Sequence, residues 1–225
     1  KYVFTGAGGD YLQSGNYPCF LYHFADLKYN NDKEFLTEVE SWIKNHGTKQ
    51  FPKSMQVVGK FFEENIDFSE PGLLKSNELL LSSGNILNNS YYNSLGNLNF
   101  DTVSSYGSYQ RTFIVQEFLY NAVPPGVEAE DLIDWFYGTS MISPFFSKRL
   151  IDLGWKIPPE YKIKNGVNKV LSRRALRGIC SDEIINRVEK SGFNAPFDIW
   201  VRGPLNDFVM DTFRSDKFRN RDIYN

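Results

Sequence analysis

A loop of small residues that ends in a carboxylate follows an apolar run near the start of the chain. The apolar run is Tyr2-Val3-Phe4, and the loop is Thr5-Gly6-Ala7-Gly8-Gly9-Asp10. Glycine lets the backbone turn through positive φ and approach a ligand closely, so the amides of such a loop can cradle phosphate oxygens. The pattern predicts a short buried strand, a tight turn and a helix that begins at Asp10, an arrangement suited to anions. A plain strand-to-helix turn with Asp10 as the N-cap is the alternative.

A lysine lies beside a glycine–aromatic turn much further along the chain, in Glu189-Lys190-Ser191-Gly192-Phe193. A second lysine, Lys169, falls on a segment with helical periodicity. Lysines are usually solvated surface residues, but both of these could reach a polyphosphate as mobile point charges. Asp10 could hold Mg²⁺, because one or two carboxylates together with substrate phosphates form a common magnesium site.

Composition limits the classes of protein to which the chain can belong. A hydrophobic content of 41% and an aromatic content of 16% in 225 residues indicate a folded core, as one large domain or a domain with an appendage. A net charge of −2 gives no reason to expect a nucleic-acid partner. No apolar run is long enough to predict a membrane-spanning helix.

Cysteine and histidine are both scarce. Cys19 and Cys180 do not form a disulfide framework, so a reducing, cytoplasmic compartment is the default expectation. His23 and His46 leave little material for a histidine-based metal site.

Most of the remaining chain is predicted to be helical. Apolar residues recur at helical spacing over residues 19–27, 35–43, 55–62, 110–119, 128–137, 147–153, 168–176 and 205–213. Residues 63–110 are rich in Asn, Ser, Gly and Tyr, which favours loops between short helices. A partner-binding surface or lid is the alternative for that segment.

The order of these pieces resembles the C-terminal synthetase domain of the asparagine synthetase family, which includes beta-lactam synthetases and lasso-peptide cyclases. Residues 5–15 are similar to the family loop Ser-Gly-Glu-Gly-Ala-Asp-Glu-Leu-Phe-Gly-Gly-Tyr, and Tyr17 follows soon after. Pro144-Phe145-Phe146-Ser147 resembles the family segment Pro-Phe-Leu-Asp. Further matches lie at Ile157-Pro158-Pro159, Lys162, Gly166, Lys169, Leu171-Ser172-Arg173, Lys190, Gly192-Phe193, Pro196, Trp200 and Arg202-Gly203.

The resemblance covers residues 1–30 and 130–213, and it implies an α/β fold. The chain would be the mostly helical C-terminal portion of a Rossmann-like ATP pyrophosphatase domain, with a short parallel strand at its N-terminus. Residues 1–30 would hold the nucleotide loop and the first helices. Residues 31–130 would form a helical and loop insertion, and residues 131–225 a helical part with the catalytic lysine.

The resemblance also implies a chemistry: ATP adenylates a substrate carboxylate, pyrophosphate leaves, and an amine or ammonia attacks the acyl-adenylate to form an amide. Thr5, Gly6, Gly8 and Gly9 would contact the nucleotide. Asp10 would hold Mg²⁺ on the pyrophosphate, and Lys169 would bind phosphate. Lys190 would stabilise the charge that develops at the α-phosphate and the acyl centre.

Several positions depart from the family pattern. Ala7 stands where the family loop has a glutamate, Ser140 and Ile142 replace a glutamate and an arginine, and Ser147 replaces an aspartate. These losses weaken the case for conversion of aspartate to asparagine and favour another acceptor, a divergent homologue, or a lactam- or peptide-forming synthetase that needs no glutamine. Aspartate or a related acid stays the expected carboxylate. Glu130 or Asp131 could supply a carboxylate near the site.

Two family elements have no counterpart in this sequence: the upstream Ser-Gly-Gly-x-Asp-Ser loop that grips pyrophosphate, and a glutaminase domain with a catalytic first cysteine. We therefore expect the chain to be an N-terminally truncated piece, inactive alone. The rest of the same protein, or a partner chain, would complete an asparagine synthase of the glutamine-hydrolysing type, with ATP, Mg²⁺ and a small-molecule or peptide carboxylate as ligands. A non-catalytic interaction module that keeps the fold is the alternative from another class.

Overall fold

The computed structural model of the protein describes residues 1–48, 52–75, 88–94, 104–188 and 195–223. The chain divides into two compact units. Unit 1 consists of residues 1–75 and 103–189, and unit 2 consists of residues 76–102 and 190–225. The division into segments 1–30, 31–130 and 131–225 stays a prediction.

The described residues are mainly helical. In chain order the elements are β1 (Tyr2–Phe4), α1 (Gly9–Leu12), α2 (Pro18–Tyr29), α3 (Phe35–His46), α4 (Met55–Asn65), α5 (Asn89–Ser94), α6 (Tyr109–Leu119), α7 (Val123–Tyr137), β2 (Ser140–Ile142), a 3₁₀ turn (Pro144–Phe146), α8 (Lys148–Lys156), a second 3₁₀ turn (Pro159–Tyr161), α9 (Val170–Ala175), α10 (Asp182–Asn186), α11 (Phe197–Arg202), α12 (Asn206–Arg214) and α13 (Asp216–Arg219). Helix α5 and helices α11–α13 belong to unit 2. Within the described ranges, none of the helices has the length and apolar character needed to span a bilayer.

The predicted first strand is present, but it is exposed and not buried as predicted, because β2 is its partner in a sheet of only two strands among the described residues. The sequence patterns did not indicate β2. β1 pairs in parallel with β2, so that Val3 lies opposite Met141. β2 follows α7 through a turn in which Asp134 accepts hydrogen bonds from the Thr139 hydroxyl at 2.5 Å and from the Met141 amide. Because the strands run in parallel, the loops that follow both of them leave from the same edge of the sheet.

The core of unit 1 lies between α2, α3, α4 and α6. Helix α2 begins with Pro18 at its first turn, where the missing amide hydrogen does no harm. Fully buried side chains from these helices form one cluster with Ile163 from the loop after the second 3₁₀ turn. Its largest members are Trp42, Tyr109, Phe20 and Phe24. This cluster fixes α3 and the 163 loop against α2, which later determines where the site residues lie.

One half-buried carboxylate joins α2 to the start of α6. Asp26 accepts hydrogen bonds from the Ser108 hydroxyl at 2.8 Å, from the Tyr109 amide at 2.7 Å and from the Gln110 amide at 3.2 Å. These two amides belong to the first turn of α6 and have no partner within their own helix. Asp26 therefore acts as a cap supplied from a distant helix.

The structure corrects two predicted helix boundaries. Helix α7 begins at Val123, five residues before the predicted start at Glu128, because Pro124-Pro125 occupies its first turn, where proline is tolerated. The helix predicted over residues 168–176 begins at Val170. Lys169 is therefore not on the helix; it precedes it with a left-handed backbone conformation, φ 55°.

Unit 2 contains short helices near the C-terminus together with α5. The Asn88 amide donates to the Ile223 carbonyl at 2.8 Å, which joins the start of α5 to the end of the described chain. Phe213 of α12 and Phe218 of α13 meet edge to face, with ring centroids 4.9 Å apart. Much of the segment 63–110, for which loops or a lid were predicted, lies outside the described residues.

Replacing Asp26 tests this cap. We expect Asp26→Ala to lower the free energy of unfolding by about 3 kcal/mol, because two buried amides lose their acceptor. Urea unfolding of the intact protein followed by circular dichroism measures the change. The control is Asp32→Ala, since Asp32 caps only the exposed Glu34 amide, and we expect less than about 1 kcal/mol there. Equal losses in the two variants would contradict the assigned role.

The buried His23 predicts an acid-sensitive core. Burial, and secondarily the positive charge of Lys164, lowers the pKa of His23 to about 4 from 6.5. The unfolded chain therefore binds a proton at His23 before the folded protein does. We expect this residue to lower stability by about 1.4 kcal/mol per pH unit as the pH falls from 6.5 towards 4. NMR titration of the imidazole checks it; protonation near pH 6.5 in the folded protein would contradict it.

Candidate functional site

The Thr5–Gly9 loop leaves the carboxyl end of β1 and turns tightly into α1. The Thr5 amide donates to the Ile142 carbonyl at 3.0 Å, which extends the pairing with β2 by one bond. The Thr5 hydroxyl accepts the Ala7 amide at 3.2 Å, and the Gly6 carbonyl accepts the Gly9 amide at 3.2 Å. Among the described residues, no acceptor lies within reach of the Gly6 and Gly8 amides. Gly6 is exposed to solvent and Gly8 is buried, so the Gly6 N–H group is the more accessible of the two to an anion.

The loop packs against the segment that follows β2. Gly8 has φ 85°, and a Cβ there would lie 2.9 Å from the Phe146 ring. A Cβ at Gly9 would lie 3.1 Å from the Phe145 ring. A Cβ at Gly6, in contrast, would meet no atom within 4 Å. Gly8 is thus required by conformation and by packing, and Gly6 faces open space.

Asp10 and Lys169, which are far apart in sequence, form a salt bridge. Each side chain is a little over a third exposed. Gly15 contacts both side chains of the pair, because a Cβ at this position would collide with each of them. It would also lie 2.9 Å from the Asp10 Cα. The Asn168 side-chain amide also donates to the Gly15 carbonyl at 3.1 Å. Two residues that sequence reasoning assigned to the same ligand therefore meet.

The position of Lys169 is determined by a turn that α3 holds from the other side. Asn165 and Gly166 have φ 53° and φ 64°, so both occupy the left-handed region. Their amides donate to the two carboxylate oxygens of Glu38, at 2.7 Å and 3.0 Å. Glu38 is 3% exposed. A buried carboxylate with two charge-assisted hydrogen bonds is a strong restraint on a turn.

Further contacts from α3 close on the same turn. The Asn45 side-chain amide donates to the Asn165 carbonyl at 3.1 Å, and His46 Nε2 lies 2.9 Å from the Gly166 carbonyl oxygen. Burial lowers the pKa of His46, so the neutral ring donates this hydrogen bond with its Nε2–H. A Cβ at Gly166 would lie 2.5 Å from the Trp42 backbone nitrogen. The turn therefore touches the backbone of α3 itself.

The two ends of the loop that carries the turn are also joined. The Val170 amide donates to the Lys162 carbonyl at 3.1 Å. The Lys162 ammonium is buried and donates to the Gly154 carbonyl, at the end of α8, at 2.8 Å. Burial lowers the pKa of Lys162 to about 8. Residues 162–170 thus form a closed loop attached to α3 and α8.

A cavity of about 230 Å³ opens between the Gly6–Asp10 loop and α7. Asp10, Tyr11 and Asn16 line one side, and Val123, Val127 and Glu130 line the other. Burial and the negative charges of Glu117 and Asp10 raise the pKa of Tyr11 above its ordinary value. Of the two acids suggested from the sequence, Glu130 lines the cavity and Asp131 is exposed to solvent.

Arg173 connects the Lys169 loop to the chain that follows α10. Its guanidinium donates to the Asn168 carbonyl at 2.8 Å, and to the Ile185 and Arg187 carbonyls at 2.6 Å and 2.7 Å. Residues 189–194 come next and lie outside the described residues, so the place of Lys190 relative to Asp10 stays a prediction.

The sequence predicted the loop, Asp10 and Lys169 as site residues, and their roles stay predictions; it did not indicate the residues that hold them. Glu38 and Asn168 carried no motif that pointed to the site, and Gly15 was matched to the family loop without a role of its own. The Asn165-Gly166 pair is a turn signal, and it could have marked the position of the turn. It could not have shown that a helix more than a hundred residues earlier supplies the acceptor.

The comparison with protein families matches the asparagine synthase model to residues 1–225. The chain belongs to the asparagine synthase family. Asparagine synthetase [glutamine-hydrolyzing] 1 of Bacillus subtilis (strain 168) is 36% identical over 74 residues, which are 33% of this chain and 12% of that protein. The match therefore spans only a small part of that relative's length. No solved structure matches the chain.

Glu38 provides a direct test of how the turn is held. We expect Glu38→Gln to lower the free energy of unfolding by about 2 kcal/mol, because the amide nitrogen of glutamine cannot accept the hydrogen bond that one carboxylate oxygen accepts. The control is Glu40→Gln on the exposed side of α3, where we expect a change below about 0.5 kcal/mol. Urea unfolding of the intact protein measures both. A Glu38→Gln variant as stable as the control would show that the turn does not depend on this carboxylate.

Proposed function

We propose that this chain contributes the C-terminal part of an ATP-dependent amide-forming ligase that adenylates a carboxylate and releases pyrophosphate and AMP. Membership of the asparagine synthase family supports the class of reaction. The meeting of Asp10 and Lys169 beside the glycine loop is the observation that carries the proposal. A carboxylate and an ammonium group at the carboxyl edge of parallel strands are in the position where nucleotide-binding α/β folds bind phosphates.

The charges and amides of this edge suit a metal-bound triphosphate. Lys169 binds phosphate oxygens as a point charge. The free amides of Gly6 and Gly8 add hydrogen bonds to an anion, while Thr5 and Gly9 hold the loop in the conformation that presents them. Such positioning and charge neutralisation, rather than covalent chemistry, are what adenylyl transfer requires of the protein.

Asp10 fits Mg²⁺ only as part of a site that the substrate completes. No group of three or more His, Cys, Asp or Glu residues that could hold a metal occurs among the residues that the structure describes. One carboxylate with substrate phosphates and water satisfies magnesium. The metal, when bound, supplies further charge neutralisation at the pyrophosphate. In the proposal Lys190 stabilises the charge at the α-phosphate and acyl centre.

The carboxylate substrate is less constrained by the structure than the nucleotide is. Aspartate is the first carboxylate to test, because asparagine synthetase is the name of the relative. Ala7 stands where the family pattern has a glutamate. This difference favours the second candidate, a lactam- or peptide-forming synthetase that needs no glutamine. A non-catalytic module would bind no ATP, and pyrophosphate release from ATP would exclude it.

An uncovered sheet in unit 1 supports the expectation that more polypeptide completes the site. Parallel sheets are normally covered on both faces, yet the side chains of Tyr2 and Phe4 on β1 are 78% and 74% exposed. Trp135 and Phe136 at the end of α7, close in sequence to β2, are 83% and 73% exposed. We propose that another part of the same protein, or a partner chain, covers these residues in the intact enzyme.

Carboxylate-dependent exchange of pyrophosphate into ATP tests the proposed function. In the intact protein we expect Lys169→Ala to lower the exchange rate by about 100-fold or more, because a charge that stabilises the transferring phosphates is lost. Asp10→Asn should cause a similar loss and should raise the Mg²⁺ concentration needed for half-maximal exchange.

The matched control is Lys148→Ala. Lys148 forms an exposed salt bridge with Asp152 on α8, so the variant makes the same change of charge away from the cavity. We expect exchange within about twofold of the unmodified protein, since isolated surface salt bridges contribute little. No exchange with any carboxylate, in a protein that folds normally, would refute the proposed function.

A further inference from the structure

Helix α7 forms the side of the cavity opposite the glycine loop, and Glu130 is the charged residue that it contributes to the lining among the described residues. Val123, Val127 and Glu130 lie on α7 at the spacing i, i+4 and i+7, which places them on one face of the helix. Phe146 and Ala7 also line the cavity. Among the residues that the structure describes, none forms a salt bridge or a hydrogen bond with the Glu130 carboxylate.

The charge of the cavity selects the kind of ligand that it can take. Its lining among the described residues contains two acids, Asp10 and Glu130, and no lysine or arginine. Lys169 balances the charge of Asp10, so among the described residues Glu130 leaves the lining of the cavity with a net negative charge. An ammonium group complements this charge, whereas a second carboxylate would be repelled.

The size and the apolar part of the cavity restrict the ligand further. A volume of about 230 Å³ is below the roughly 300–1,000 Å³ of pockets for drug-sized ligands. Val123, Val127 and Phe146 offer apolar surface beside the carboxylate. The combination suits a small primary alkylamine, with its ammonium group at Glu130 and its carbon chain against the valines.

We propose that this cavity binds the amine that attacks the acyl-adenylate, and that the Glu130 carboxylate accepts a proton from this amine. Ala7 has no functional group that could accept the proton. The inference rests on the proposed adenylation. The amine nitrogen forms a C–N bond to the acyl carbon, and the bond from that carbon to the AMP oxygen breaks. AMP leaves with the electron pair. The bound ammonium group loses two protons in all: the first goes to the Glu130 carboxylate and frees the nitrogen lone pair for attack, and the second goes to solvent after the C–N bond has formed.

Ligand binding tests the cavity without any turnover. Saturation-transfer NMR on the intact protein would compare butylammonium chloride with sodium butyrate, which has a chain of the same length and the opposite charge. We expect a stronger signal for butylammonium than for butyrate. Glu130→Gln should weaken butylammonium binding at least tenfold, whereas Glu128→Gln, exposed and two residues earlier on α7, should not. Equal binding by the two variants, or no binding by the unmodified protein, would overturn the inference.

The two half-reactions test the proton transfer. We expect Glu130→Gln to lower amide formation by about 100-fold or more, the usual contribution of a general base, and to lower ATP–pyrophosphate exchange far less. Adding Ala7→Glu to this variant should restore part of the amide-forming rate, because the new carboxylate faces the same cavity. Equal losses in both half-reactions would overturn the role in proton transfer.

The two proposals can fail separately. No ATP–pyrophosphate exchange in the unmodified protein would refute the adenylation and with it the proton transfer. The butylammonium comparison would still decide whether the cavity binds amines.

Discussion

The buried carboxylate of Glu38, which accepts the amides of Asn165 and Gly166, is the interaction on which the arrangement of the site depends. Both residues have left-handed backbones, and each amide donates to a different oxygen of the one carboxylate. Glu38 lies on the helix that carries Trp42 and Val39 into the core. The turn is therefore tied to the best-packed part of unit 1, and Lys169 follows it by three residues. Core packing, more than any residue of the site, directs the ammonium group of Lys169 to Asp10.

The salt bridge between Lys169 and Asp10 contributes little to stability. Both side chains are more than a third exposed, and pairs of this kind are worth about 0–1 kcal/mol. A polyphosphate can therefore separate the two charges at small energetic expense, while the loop that carries Lys169 stays in place. A rigid backbone with a weak pair of charges at its tip suits ligand binding better than a strong pair would, because a strong pair would compete with the ligand.

Helices and turns with local sequence signals were predicted, elements defined by distant contacts were not, and the roles of the site residues stay predictions. The glycine loop, Asp10 and the helix around Phe20 and Phe24 follow from patterns within a few residues. β2 has three residues and no alternation long enough to recognise, and only pairing with β1 defines it. The predicted start of α7 at Glu128 was too late, because Pro124-Pro125 occupies the first turn of the helix. Glu38 has the sequence signature of any helical glutamate, and its role requires a turn that lies more than a hundred residues away. The family resemblance supplied Lys190, for which the local sequence gives only a surface lysine.

The composition of the loop gives a reason why both halves of the proposed reaction could share one cavity. Between Thr5 and Gly9 the side chains are two hydrogens and one methyl group, at Gly6, Ala7 and Gly8. Asp10 on one side and Glu130 on the other line a cavity of about 230 Å³. Backbone and a single methyl group therefore lie along the wall between the charges assigned to phosphate and the carboxylate assigned to the amine. A bulky side chain at Gly6 would project into this open space and separate the acyl centre from its nucleophile. In the proposed reaction the small residues therefore let phosphate come close to the backbone, and they also let the amine come close to the acyl centre.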